Sequence, residues 1–192
     1  MAMATKIDMD DVLKRMRTNI TDLDLERYFP ETNHYKNNVI KYSDLANYKS
    51  IEELLPNDRS YKIILIEQNY NSGHWTCLLR YGNTIEWFDS YGLPVDGELK
   101  FINSVKRRLL GEGRKTLTEL LSKVKDKNIV YNKVKLQKLC NKSATCGRWV
   151  ILRILMMKNF FYNLKEFQDF IKKYKKEIGF KDADELVAYW IN

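Results

Sequence analysis

Apolar residues along this chain change period several times, and each change marks an element. Met9, Val12, Leu13 and Met16 recur at helical spacing and predict a helix over residues 8–17. Residues 43–48 predict a short helical region. Ser50 then caps a second one, IEELL, which Pro56 stops. A β block follows. Tyr61–Gln68 (YKIILIEQ) is a nearly continuous apolar run, the pattern of a central strand buried on both faces. Trp75–Tyr81 (WTCLLRY) predicts a second strand, Gly82-Asn83 a hairpin turn, and Thr84–Phe88 (TIEWF) a third strand. Residues 98–110 and 116–125 predict helices, and Asn128–Leu136 (NIVYNKVKL) alternates as a strand does. Cys146–Met157 (CGRWVILRILMM) is apolar nearly all round, which predicts a buried helix. Leu164–Ile178 and Asp184–Ile191 predict amphipathic helices. Together these elements predict an α+β fold: a small, mostly antiparallel sheet flanked by helices.

Composition narrows the class. The 192 residues are 44% hydrophobic, enough for a core without a metal or disulfide staple. No repeat or linker divides them, so residues 1–192 read as a single domain. Three Cys, an odd number, point to reduced thiols rather than a disulfide scaffold. Asp8, Asp10 and Asp11 stand where a secretory signal needs an apolar run. The longest apolar stretch, Val150–Met157, is interrupted by Arg153 and falls far short of the ~20 residues that span a bilayer. Neither secretion nor a membrane partner is expected. The net charge of +8 makes a polyanion such as DNA or RNA a candidate partner. The cations are spread along the chain, however, and the basic segment Ser104–Leu110 has no recognition signature and reads equally as a solvated face.

Candidate chemistry is sparse. The two His are His34, in the polar segment ETNHYKNN, and His74, at the mouth of the second strand after Asn71-Ser72-Gly73. Strand alternation puts His74 and Thr76 on one face, and Trp75 and Cys77 on the other, so Cys77 reads as an inert core thiol. Asp89 leaves the third strand, and the hairpin brings the strand ends together. There it either orients an imidazole or caps the following turn. Cys140 lies in a basic loop, KLCNKS. Cys146 opens a buried helix, where the positive end of the helix dipole favours a thiolate; the alternative is an ordinary buried helix cysteine. No CxxC motif and no His pair suggests a metal site, and Gly111-Glu112-Gly113-Arg114-Lys115 lacks phosphate-loop spacing.

Taken in chain order, Gly73-His74-Trp75, Phe88-Asp89-Ser90-Tyr91-Gly92, Gln137 and Thr145-Cys146-Gly147-Arg148-Trp149 resemble one pattern. It is that of the adenain-type cysteine proteases, the maturation proteases of adenoviruses, virophages and polintons, and of their relatives that act on SUMO and ubiquitin-like proteins. The match covers residues 60–160. It implies a papain-like core in circularly rearranged order. Cys146 would be the nucleophile, His74 its base and Asp89 the group that orients His74. Gln137 would stabilise the oxyanion with the Cys146 backbone N–H. Trp75 and Gly147 would line a narrow cleft that accepts Gly or another small residue before the scissile bond. One departure stands out: Gln137 precedes Cys146 by nine positions, where the family usually has six or seven. Either the loop is longer or another group fills that role. The resemblance further implies processing of virion structural proteins, in the virion and in host cytoplasm or nucleus, by a monomer with no resident cofactor. DNA or a short viral peptide would be a candidate activator. The competing readings are a deconjugating protease of ubiquitin-like proteins and a basic nucleic-acid-binding scaffold.

Overall fold

The computed structural model describes residues 7–29, 38–139 and 143–192. Its centre is a five-stranded sheet in sequential order, β1 (Val39–Lys41), β2 (Tyr61–Asn69), β3 (Ser72–Tyr81), β4 (Thr84–Phe88) and β5 (Asn128–Tyr131). The three middle strands pair antiparallel, as the hairpin signals predict. Both outer strands run parallel to their neighbours, so the sheet is mixed, with its longest ladders antiparallel. The α+β class and the flanking helices are as expected.

Alternation along the strands sorts the core into two layers. Tyr61, Ile63 and Leu65, with Trp75, Cys77, Leu79 and Phe88, face one side. There they meet α6 (Cys146–Phe160), α7 (Leu164–Ile178) and α8 (Ala183–Trp190). Ile64, Ile66, Leu78, Ile85 and Trp87 face the other side. That side is covered by a 3-10 helix (Tyr42–Asn47), α3 (Ile51–Leu54) and α5 (Thr116–Leu121). Helices on both faces explain why β2 is buried from Tyr61 through Glu67 and why its sequence hardly alternates. α1 (Met9–Arg17), capped by Asp8, packs Val12 and Met16 on Ala188 of α8.

Several boundaries differ from expectation, each for a local reason. Residues 98–110 form not one helix but a 3-10 helix (Gly97–Phe101) and α4 (Ser104–Leu109). Ile102 is extended between them, and the Asn103 side chain accepts from Val105 N–H to start the second. The strand expected over 128–136 stops at Tyr131. Asn132 then turns the chain out of the sheet, its amide donating to the carbonyls of Asp89 and Val134. α2 (Asp22–Tyr28), with a Thr21–Asp24 capping box, and the three-residue edge strand β1 have too little periodicity to be seen in sequence.

One polar contact locks the main layer. The Arg153 guanidinium of α6 donates to both carboxylate oxygens of Glu86 on β4, at 2.8 and 2.6 Å, and to the Tyr162 carbonyl at 3.1 Å. Both side chains are fully buried, and Tyr81 Oη adds a 2.7 Å bond to Glu86. The pair explains how a helix apolar nearly all round tolerates an arginine. Glu86→Ala leaves that cation without its partner in the core. Chemical denaturation is expected to show a loss of about 3–5 kcal/mol; a change below about 1 kcal/mol would contradict the role assigned to the pair.

Candidate active site

The start of β3, the end of β4 and the start of α6 bring together the residues singled out in sequence. His74 lies near the start of β3 and is almost fully buried. The preceding Gly73 is required by packing: a Cβ there would stand 1.9 Å from the Ile66 carbonyl oxygen. His74 Nε2 meets Asp89 Oδ1 at 2.9 Å, and the same oxygen accepts the Tyr91 N–H at 2.8 Å. The Tyr91 ring stacks on the imidazole with centroids 4.3 Å apart and planes at 12°. One oxygen of Asp89 thus contacts the imidazole and caps the turn that follows it.

Cys146 opens α6 on the other side of His74 and is half-buried. Burial opposes ionisation of its thiol. The hydrogen bond and charge of His74, with the backbone N–H groups of Trp75 and Gly147, outweigh it and hold the thiol below its ordinary value. Burial likewise opposes a charged His74, but Asp89 and Cys146 outweigh it and hold the imidazole well above its usual range. The two shifts favour a thiolate–imidazolium pair. Cys77 behaves oppositely: fully buried, its thiol is pushed well above the ordinary value, as suits a core residue.

The other candidates occupy defined places. Trp75 donates from Nε1 to the Ile20 carbonyl at 3.2 Å. With Cys146, Ile20, Leu65, Asn71 and Gly73 it lines a cleft of about 430 Å³. Gly147, expected at the substrate, is buried against Ile20 and is not among the residues lining that cleft; a Cβ on it would stand 2.6 Å from Ile20 Cβ. It allows residues 19–21 to approach the helix and thereby shapes one wall. Gln137 is buried. Its Oε1 accepts from Ser90 Oγ at 2.8 Å, which turns Nε2 toward the Ser143 carbonyl at 3.3 Å, three residues before Cys146. Residues 140–142, with Cys140, and His34 lie outside the described residues.

Sequence reasoning missed the supports of this corner. Asp184 of α8 is fully buried and accepts from Lys138 N–H, Thr145 Oγ1 and Trp149 Nε1, binding the loop after Gln137 to the start of α6. Arg148 donates to the carbonyls of Thr18 and Ile191. Ser90 accepts at its carbonyl from both Leu136 and Gln137 N–H. Nothing in DADELVAYW marks Asp184 off from Asp182, which caps the same helix. Among the described residues no group of three or more His, Cys, Asp or Glu could hold a metal ion, and no helix is long and apolar enough to cross a membrane.

These features define the chain's class by structure: an α+β protein in which Cys146, His74 and Asp89 meet beside a cleft. No family model matches its sequence. A Sputnik virophage protein, uncharacterized protein V9, is 36% identical over 154 residues, which are 80% of this chain and 85% of that protein. At that identity and coverage, the chain belongs to the same family as protein V9. Two solved structures of the SUMO protease Ulp1, its catalytic cysteine oxidized to a sulfinic acid in one and a sulfenic acid in the other, are 15% and 14% identical, with TM-scores of 0.42 and 0.37. They match all of this chain and 85% and 97% of theirs. A likeness that loose assigns no residue of this chain a role.

A further buried acid supports the β2–β3 turn, whose Asn71, Ser72 and Gly73 line the cleft. The turn between β2 and β3 is held by Glu67, whose Oε1 accepts from Asn71 N–H at 2.6 Å and pairs with Lys41 at 3.2 Å. Glu67 N–H in turn donates to Oε1 of the fully buried Glu112 at 2.7 Å. Burial, reinforced by the Glu67 charge, pushes the Glu112 carboxyl from 4.5 up to about 7. The folded state therefore keeps a proton that the unfolded chain releases. This contribution to stability is complete below pH 4.5 and is lost as pH rises through about 7. Glu112→Gln keeps the acceptor and removes the titration. Denaturation curves are expected to make it more stable than the parent at pH 8, by on the order of 1–3 kcal/mol, with little difference at pH 4. Parallel stability–pH curves for the two proteins would refute this.

Proposed function

We propose that this chain is a cysteine endopeptidase that processes virion structural proteins, cutting after glycine or another small residue. The observation that carries the reading is the lowered thiol of Cys146 beside an imidazole that Asp89 fixes through Nε2 at 2.9 Å. With Nε2 committed to Asp89, Nδ1 is the nitrogen left for the thiol proton.

The chemistry follows from that arrangement. His74 takes the Cys146 proton, and the thiolate adds to the substrate carbonyl carbon. The carbonyl electrons move to oxygen, and the oxyanion meets the Cys146 backbone N–H at the helix start and Gln137 Nε2. One such donor contributes about 3 kcal/mol. As the tetrahedral intermediate collapses, the C–N bond breaks and His74 passes its proton to the leaving amine. Water, deprotonated by His74, then adds to the thioester and releases the acid and the thiol. Trp75 and Ile20 line the cleft beside the thiol; the small residue before the scissile bond rests on the resemblance to adenain-type proteases. Kinship with a Sputnik virophage protein supports a viral setting.

The test is mass-spectrometric mapping of new N-termini, after the protein or its Cys146→Ala variant is incubated with virion proteins and with ubiquitin-like precursors. New termini following small residues in virion proteins are expected with the parent, and their rate should fall about 10,000-fold in the variant. Cleavage confined to the Gly-Gly tails of ubiquitin-like precursors would replace the virion substrates with a deconjugating role. Equal cleavage by both proteins would remove Cys146 from the reaction.

A further inference from the structure

Outside the cleft, one stretch of surface is both apolar and cationic. Val105 and Leu109 stand four positions apart on one face of α4, a helix that buries none of its residues, and Phe101 ends the 3-10 helix before it. Val105, Leu109 and Phe101 are 61%, 83% and 56% exposed. One such side chain on a surface is ordinary; three within residues 101–109 make an apolar patch that calls for a partner.

The charge around the patch has one sign. Lys100 Nζ stands 4.8 Å from the centre of the Phe101 ring, and Lys106, Arg107 and Arg108 belong to α4 itself. The acids of residues 96–115 are Asp96, Glu98 and Glu112, and all three are buried, so the charges this stretch presents to solvent are cations. The surface also adjoins the cleft. Lys106 Nζ donates to Asn69 Oδ1 at 2.6 Å, at the end of β2. Tyr70, the next residue, is 79% exposed, and Asn71, Ser72 and Gly73 after it line the cleft that Cys146 shares.

We propose that Phe101, Val105 and Leu109, with the cations around them, dock an acidic, amphipathic segment of the protein substrate outside the cleft. The inference rests on the endopeptidase reading of Cys146 and His74 and gives its substrate a second point of contact. The two halves of the surface select the occupant together. Nucleic acid would pair with the cations and leave Val105 and Leu109 in water. A wholly apolar partner would desolvate Lys106, Arg107 and Arg108 without pairing them. A second copy of this chain would bring the same cations face to face. A segment with Asp or Glu on one side and large apolar residues on the other covers both halves. Held there, a substrate raises the local concentration of its scissile bond at Cys146, a gain that a short peptide cannot share.

The test compares one virion protein that the terminus mapping shows to be cut, offered whole and as a short synthetic peptide spanning the same bond. The double variant Val105→Glu, Leu109→Glu puts acids on the apolar face. The double variant Lys100→Glu, Arg108→Glu reverses exposed cations beside it. Both are expected to lower kcat/KM on the whole protein about tenfold, mostly through KM, and to leave the peptide within about twofold. Binding of the whole protein to the Cys146→Ala chain, which cannot cut it, should weaken in parallel when the same substitutions are added. Unchanged cleavage of the whole protein would overturn the docking surface and leave the peptidase reading standing. An equal fall on protein and peptide would overturn it too, since the substitutions would then act through the cleft or the fold. If the variants lose only affinity for a short duplex DNA, measured by fluorescence anisotropy, the surface belongs to nucleic acid and the proposal falls. It falls equally if sedimentation shows a parent dimer that the variants turn into monomers. Absence of any Cys146-dependent cleavage, of protein or peptide, would overturn the peptidase reading and this inference with it.

Discussion

The site depends on a buried carboxylate that is tolerated because a cation can form beside it. Asp89 is 1% exposed, and one of its oxygens is filled by His74 and the Tyr91 N–H. Desolvation makes an isolated charge there costly, and the imidazolium offsets that cost. The same exchange raises the proton affinity of His74, and a proton-hungry imidazole is what draws the thiol of Cys146 toward ionisation. The relay is thus one electrostatic problem with its solution distributed over three residues.

Holding those residues together is a matter of matched lengths. β4 carries Glu86, and Asp89 follows three residues on, just past its end; α6 carries Arg153 and, seven residues back, Cys146. Three extended residues span ~10 Å and seven helical residues ~10.5 Å. The buried Glu86–Arg153 pair therefore clamps strand to helix one end-to-end step away from the chemistry and sets the separation at the other end. Asp184 completes the frame by tying the loop after Gln137 to Thr145 and Trp149. In CGRW every residue after the cysteine supports the frame. Gly147 admits Ile20, Arg148 holds the Thr18 and Ile191 carbonyls, and Trp149 bonds Asp184.

Much of this was legible in sequence where a local pattern carries the information. The three-strand meander, the buried helix opening at Cys146 and the meeting of His74 with Asp89 follow from alternation, a Gly-Asn turn and strand register. What escaped notice is set by contacts between residues distant in the chain. Arg153 read as an interruption of an apolar run, because its partner lies 67 positions away. Asn128–Leu136 alternates as a strand, yet Asn132 spends its side chain on the Asp89 carbonyl and diverts the chain to Ser90. Nothing local in the sequence marks Asp184, which burial and three hydrogen bonds from distant residues set apart. The parallel pairing of β1 and β5 left no local trace, since each edge is only three or four residues long.

The central claim is that His74 and Asp89 make Cys146 an ionised nucleophile. A pH titration of ultraviolet thiolate absorbance, taken as the difference between the parent and Cys146→Ser, measures this directly. The account predicts an ionisation step below the ordinary thiol value of about 8.5, absent from the serine variant and displaced upward in His74→Ala. A Cys146 that ionises at or above that value in the parent, whatever stands at position 74, would contradict it.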